Sequence, residues 1–220
     1  ALFISEPSAT LGSSITIYGS LVPPEGGAQI TLNFTKPDAS TVTTKVATAT
    51  YGSFTYGLTA DKVGSWSVRA FWAGSSAYEA AENLTSFTVT QLQSSISCAV
   101  SKQKVTLGDS IIISGVLNPG IDGEAITRVV MKPDGQTYTS TVLTGAGGEY
   151  SFIFKPEDGG KWKVEARWHG SETYLEATSY SIDFIVEQAF PIIYAILGVM
   201  TIGIVISLFI VKYKRKMITL

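Results

Sequence analysis

Trp66-Ser67-Val68-Arg69-Ala70-Phe71-Trp72 decides the fold of this 220-residue chain. Side chains alternate faces along a strand, so Trp66, Val68, Ala70 and Trp72 share one face. The same sentence recurs later as Trp162-Lys163-Val164-Glu165-Ala166-Arg167-Trp168. There Trp162, Val164, Ala166 and Trp168 share a face, and Lys163, Glu165 and Arg167 take the other. Apolar-in, polar-out alternation of this kind predicts a half-buried antiparallel strand in each copy.

The duplication extends well beyond this segment. A shift of 96 positions aligns residues 11–81 with 107–177 without a gap, and 28 of the 71 positions are identical. Leu11-Gly12 returns as Leu107-Gly108. Ile15, Ile17, Gly19 and Leu21 return as Ile111, Ile113, Gly115 and Leu117. Lys36-Pro37-Asp38 returns as Lys132-Pro133-Asp134, and Gly74-Ser75 with Tyr78 as Gly170-Ser171 with Tyr174. A unit this long is a domain rather than a solenoid repeat. Turn signals (Pro23-Pro24-Glu25-Gly26-Gly27, Pro133-Asp134-Gly135, Pro156-Glu157-Asp158-Gly159-Gly160) separate about seven short strands per copy, which predicts an all-β fold of two tandem sandwiches. We place the first over 1–91 and the second over 92–188. One position breaks the pattern: Arg128 stands where Leu32 stood. Either a bulge turns it outward, or its stem packs inward and its head reaches water.

In each copy a Gly-Ser/Asp-Ser-Ile start (Gly12 to Ile15, Gly108 to Ile111), a Lys-Pro-Asp turn, a Gly-x-Trp-x-Val strand and a Gly-Ser…Tyr turn stand in the same order. With these motifs residues 2–188 resemble the Ig-like repeats of prokaryotic cell-surface proteins. That resemblance implies Ig-like sandwiches serving as stalk, scaffold or adhesion module, and implies no enzymatic activity. The antibody pattern is absent, because Cys98 is the only cysteine.

Residues 189–211 carry no charged side chain over 23 positions. As a helix they extend about 34 Å, enough for a hydrocarbon core of about 30 Å. Lys212, Lys214, Arg215 and Lys216 follow at once. The positive-inside rule then puts the tail, 212–220, in the cytoplasm and the sandwiches outside a single-pass cell-membrane anchor. The expected partners are the lipid bilayer and proteins at the surface or within the membrane. Gly198, Gly203 and Ser207 are candidate helix-packing positions. Residues 1–211 hold 12 basic and 18 acidic side chains, a net of −6, which argues against nucleic acid.

Two glycosylation triplets, Asn33-Phe34-Thr35 and Asn83-Leu84-Thr85, agree with an exterior location. No cofactor or metal set is read. Asp122 with Glu124, and Glu157 with Asp158, are acidic loops that lack the six to eight oxygens calcium takes. His169 sits in a Trp-His-Gly turn with no nucleophile beside it. The tryptophans read as core rather than as a sugar platform, and Tyr78 and Tyr174 as packed corners. Three functional readings stay open: a surface stalk or adhesion module, an accessory subunit of a membrane complex, and the stalk of a larger secreted enzyme or solute-binding protein.

Overall fold

The computed structural model describes residues 1–188, and these are all strand and loop. The first copy contains β1 (Leu2–Ile4), β2 (Ser8–Thr10), β3 (Ser14–Ser20), β4 (Gln29–Thr35), β5 (Thr41–Ala47), β6 (Ser53–Thr59), β7 (Gly64–Trp72) and β8 (Ala81–Thr90). The second contains β9 (Ser95–Ile96), β10 (Ala99–Val100), β11 (Lys104–Thr106), β12 (Ile111–Asn118), β13 (Ala125–Met131), β14 (Thr137–Leu143), β15 (Glu149–Phe154), β16 (Gly160–Trp168), β17 (Ala177–Thr178) and β18 (Ile182–Glu187). Among the described residues no helix is long and apolar enough to cross a membrane. The expected span at 189–211, with Gly198, Gly203 and Ser207, and the basic positions Lys212, Lys214, Arg215 and Lys216 lie outside the described residues.

Each copy is two sheets face to face. In the first, a small sheet ordered β1-β3-β6 covers a larger one ordered β2-β8-β7-β4-β5. The second repeats this as β10-β12-β15, with β9 also on β12, against β11-β18-β16-β13-β14, with β17 on β16. Neighbours are antiparallel except the outermost pairs, β2 with β8 and β11 with β18, which run parallel. The alternation read from the sequence puts Trp66, Val68, Ala70 and Trp72 inward from β7, and Trp162, Val164, Ala166 and Trp168 inward from β16; all eight are buried.

The repeated motifs meet in one corner. Gly64 has φ 123° and Gly160 φ 127°, a conformation that favours glycine. A Cβ on either would press into Pro37 or Pro133 of the Lys-Pro-Asp turn. Just beyond, the Trp66 indole N–H donates to the Lys62 carbonyl and that of Trp162 to the Asp158 carbonyl, both at 2.9 Å. Each buried tryptophan thereby satisfies its one polar atom. Lys36 lies over the Trp66 ring at 5.4 Å and pairs with Asp61, while Lys132 pairs with Asp158 at 2.9 Å. Gly-x-Trp and Lys-Pro-Asp are therefore two halves of one structural device.

Within the larger sheets the copies part at two places. Position 128 keeps strand register: Arg128 faces Ser140 on β14 and Ala166 on β16, as Leu32 faces Thr44 and Ala70. Of the two readings of Arg128, the inward stem holds and the bulge does not. Its guanidinium carbon lies 4.0 Å from the centre of the Phe152 ring, and its Nε donates to the Ser140 hydroxyl. The first sandwich has one continuous core cluster, whereas the second has two. The other difference is an extra residue. Ala177 pairs with Trp168 as Ala81 does with Trp72, but Phe184 rather than residue 183 takes the place of Phe87 opposite the first tryptophan. The insertion breaks the last strand into β17 and β18. Ser179 stitches the break, its hydroxyl accepting the Ala166 N–H at 2.9 Å, and Tyr180 is extruded at 92% exposure.

Candidate interaction surfaces

Charged side chains concentrate on the outer faces of the larger sheets. On the larger sheets, outward positions carry Arg69, Glu82 and Lys45 in the first copy. In the second they carry Lys161, Lys163, Glu165, Arg167 and Asp183. Several of these pair across strands, as Arg69 with Glu82 and Lys161 with Asp183 at 2.7 Å. The small sheets differ. On β3 and β6 the outward residues are Ser14, Thr16, Tyr18 and Ser20 with Ser53, Thr55, Gly57 and Thr59, and none is charged. Phe3 on β1 stacks on Tyr18 with centroids 5.6 Å apart, and both are exposed. On β12 and β15 the outward residues are Ile112, Ser114 and Val116 with Glu149, Ser151 and Ile153. Ile112 faces Ile153 directly, and the latter is 73% exposed. A row of exposed branched aliphatics on a sheet face is costly in water unless something covers it.

The linker is bound rather than free. The Leu92 N–H donates to the Thr173 carbonyl at 2.8 Å, and the Leu175 N–H donates to the Leu92 carbonyl at 2.9 Å. Gln91 Nε2 donates to the Ser171 carbonyl at 2.6 Å, and the Ser94 hydroxyl to that of Leu175 at 2.6 Å. The loop after β16 thus holds the segment that leads into the second sandwich.

The other sequence candidates find structural roles. Tyr78 lies beside Trp72 and Tyr174 beside Trp168, both at 6.4 Å between centroids, but Tyr174 is half-buried and Tyr78 is exposed. Glu124 accepts the Trp168 indole N–H at 2.8 Å, and Asp158 is taken by Lys132. Asp122, Glu157 and His169 are exposed loop residues. Cys98 is a free, half-buried thiol. Burial pushes its pKa up, and burial together with Cys98 does the same for the Tyr150 phenol, so both stay protonated at neutral pH. The two triplet asparagines differ. Asn33 is half-buried on a central strand and its Oδ1 accepts the Thr43 hydroxyl at 2.7 Å, whereas Asn83 is exposed near the start of β8 and its Oδ1 accepts the Leu84 N–H at 2.8 Å.

Both copies set a smaller sheet, β1-β3-β6 or β10-β12-β15 with β9, against a larger one, β2-β8-β7-β4-β5 or β11-β18-β16-β13-β14 with β17, and this is the two-sheet Greek-key order of immunoglobulin-type sandwiches. The topology is Ig-like. No protein-family profile matches the chain, and no curated protein matches it. Solved structures do. A tetra-tandem repeat from the extending region of a large adhesion protein aligns at 15% identity and TM-score 0.45, over 84% of this chain and 49% of that one. The present chain thus spans about half of that segment. The D0-D1 domain of intimin aligns at 18% identity and TM-score 0.34, over 84% of this chain and 98% of that one. A two-domain fibronectin type III segment of chicken tenascin aligns at 13% identity and TM-score 0.41, over 85% and 97% respectively. The Ig-like assignment rests on the strand pairing itself.

Proposed function

We propose that this chain is a non-enzymatic, membrane-anchored extracellular protein whose two Ig-like sandwiches act as a surface stalk, scaffold or adhesion module. One observation carries the reading: β18 ends at Glu187, and an uncharged run of 23 residues closed by Lys212, Lys214, Arg215 and Lys216 follows at once. That order fits an exterior pair of domains on a single span with a cytoplasmic tail. The bound linker supports a spacer role, since hydrogen bonds from Gln91, Leu92 and Ser94 restrain the segment between the sandwiches. A glycan on exposed Asn83 suits the same location. The test is protease treatment of intact cells that carry a tag after Leu220. Digestion of the sandwiches with protection of the tag supports the topology; protection of both, or loss of the tag alone, overturns it.

A second reading, an accessory subunit of a membrane complex, is favoured by the Ile112, Val116 and Ile153 row. A stoichiometric companion in mild detergent that is lost on Ile153→Glu supports it. Retention of that companion in the variant removes the row from the interface.

A further inference from the structure

The two copies differ in how one end of the sandwich is filled. In the second, Ile96 on β9 is 8% exposed and packs with Leu117, Ile126, Tyr150, Ala166, Trp168 and Ala177. A shift of 96 turns that set into Leu21, Ile30, Phe54, Ala70, Trp72 and Ala81. All six line a cavity of about 80 Å³ in the first sandwich, with Ala1 at its rim. The chain reaches both places along one path. The Ala1 amine donates to the Ser20 carbonyl at 2.8 Å, and the Ser97 N–H donates to Val116, the counterpart of Ser20, at 3.0 Å. Gly19 and Gly115 both lie so close that a Cβ would strike the Ala1 or Ser97 carbonyl.

The loop that grips the linker is duplicated too. Ser75 donates to the Tyr78 carbonyl at 2.9 Å, as Ser171 does to that of Tyr174 at 2.9 Å. Gly74 has φ 85° and Gly170 φ 78°, and a Cβ on either would meet the Tyr78 or Tyr174 carbonyl at 2.6 Å. In the second copy the Thr173 carbonyl and Leu175 N–H hold Leu92, and Thr173, Tyr174 and Leu175 are half-buried. Their counterparts Ala77, Tyr78 and Glu79 are exposed.

We propose that the first sandwich carries a docking seat for an extended peptide segment that runs into Ala1. The seat is the cavity between Trp72 and Phe54 together with the polar edge of residues 75–79. The chemistry of its occupant is read from the linker of the second copy. An apolar branched residue directly before Ala1 fills the cavity. A residue five positions before Ala1 pairs through its backbone with Ala77 and Glu79. A side-chain amide before that one reaches the Ser75 carbonyl.

The test adds Gln-Leu-Gln-Ser-Ser-Ile before Ala1 of the full chain in detergent, and compares it with Gln-Leu-Gln-Ser-Ser-Gly and with the unextended chain. Amide hydrogen exchange over residues 73–80 and thermal unfolding of the first sandwich are read. The isoleucine extension slows exchange at Glu79 about tenfold or more and raises Tm by about 5 °C or more, and the glycine version loses most of the Tm gain. Ile96→Gly, which opens the same space in the second copy, lowers the Tm of that sandwich and calibrates the effect. No slowing and no shift overturns the proposal, as does an equal gain from both extensions. Protection of residues 73–80 in the unextended chain that grows with protein concentration would put a second copy in the seat, and also overturns it.

Discussion

Gly115→Ala tests how tightly the small sheet of the second sandwich is closed. Gly115 is an inward position of β12, facing Tyr150 on β15. A Cβ there would lie 2.7 Å from Tyr150 Cζ and closer still to the Tyr150 hydroxyl and the Ser97 carbonyl oxygen. The phenol donates to that same carbonyl, so one methyl group enters the space of both partners of a hydrogen bond. Tyr150 is 3% exposed and cannot swing into water without opening the core. Losing the hydrogen bond costs about 1 kcal/mol, and forcing a methyl into a packed core costs about 1–3 kcal/mol. The sum, about 2–4 kcal/mol, lowers the Tm of this sandwich by about 8 °C or more. The first copy supplies the control. Gly19→Ala would meet Phe54 Cζ at 2.6 Å and the Ala1 carbonyl. Phe54 carries no hydroxyl, so no hydrogen bond is lost there. The cost there is about half as large. Tyr150→Phe, which only restores the residue type of Phe54, costs about 1 kcal/mol. The assay is thermal or urea unfolding followed by tryptophan fluorescence. A loss below about 0.5 kcal/mol for Gly115→Ala, or a larger loss for Gly19→Ala, refutes the packing argument.

Arg128→Leu stays within about 1 kcal/mol of the parent, because the buried leucine offsets the lost Phe152 and Ser140 contacts, whereas Leu32→Arg costs about 3 kcal/mol or more by placing a charge at a fully buried position, where Arg128 is only half-buried; urea unfolding measures both. The hydrogen bond from Lys62 holds the Asp38 carboxyl well below the usual range, assisted by Ser40. A depressed folded pKa gives stability that is present above the unfolded value near 4 and is lost as pH falls below it. Carboxyl NMR shows Asp38 titrating below the other aspartates, and Lys62→Met returns it towards the ordinary range. Tyr150 ionises above the exposed tyrosines in an alkaline absorbance titration, since burial disfavours its phenolate. Tyr180→Ser leaves Tm within about 1 °C, because the side chain touches little.

Much of the fold was legible because strands write their faces at a period of two. Ile15, Ile17, Trp66, Val68 and their counterparts are core on alternation alone. The long gapless duplication also located both copies. The corner that joins Gly64 to Pro37 was not legible: the two motifs stand 27 positions apart, and only the close approach of a turn to a strand explains the glycine. The inserted residue near Tyr180 was hidden because the gapless match stops at Ala177, so nothing beyond fixes the register of β18. Arg128 left two readings, and the choice needed the opposite sheet, since Phe152 is what makes an inward arginine tolerable. Of the surface, the sequence showed the two triplets and the aromatic positions Tyr78 and Tyr174. It did not show that exposed Ile112 and Ile153 are cross-strand neighbours, or that Ile96 has a counterpart cavity, because both facts depend on which strands pair.

The parallel pairs at the sheet edges set how these domains bear mechanical load. β2 lies near the start of the first sandwich and β8 at its end, and β11 and β18 stand likewise in the second. Pulling the two ends of a domain apart drags such parallel neighbours past each other lengthwise. Their hydrogen bonds then share the strain and must yield together, whereas a hairpin pulled from its open end parts one bond at a time. The stalk proposed above is pulled in just that direction.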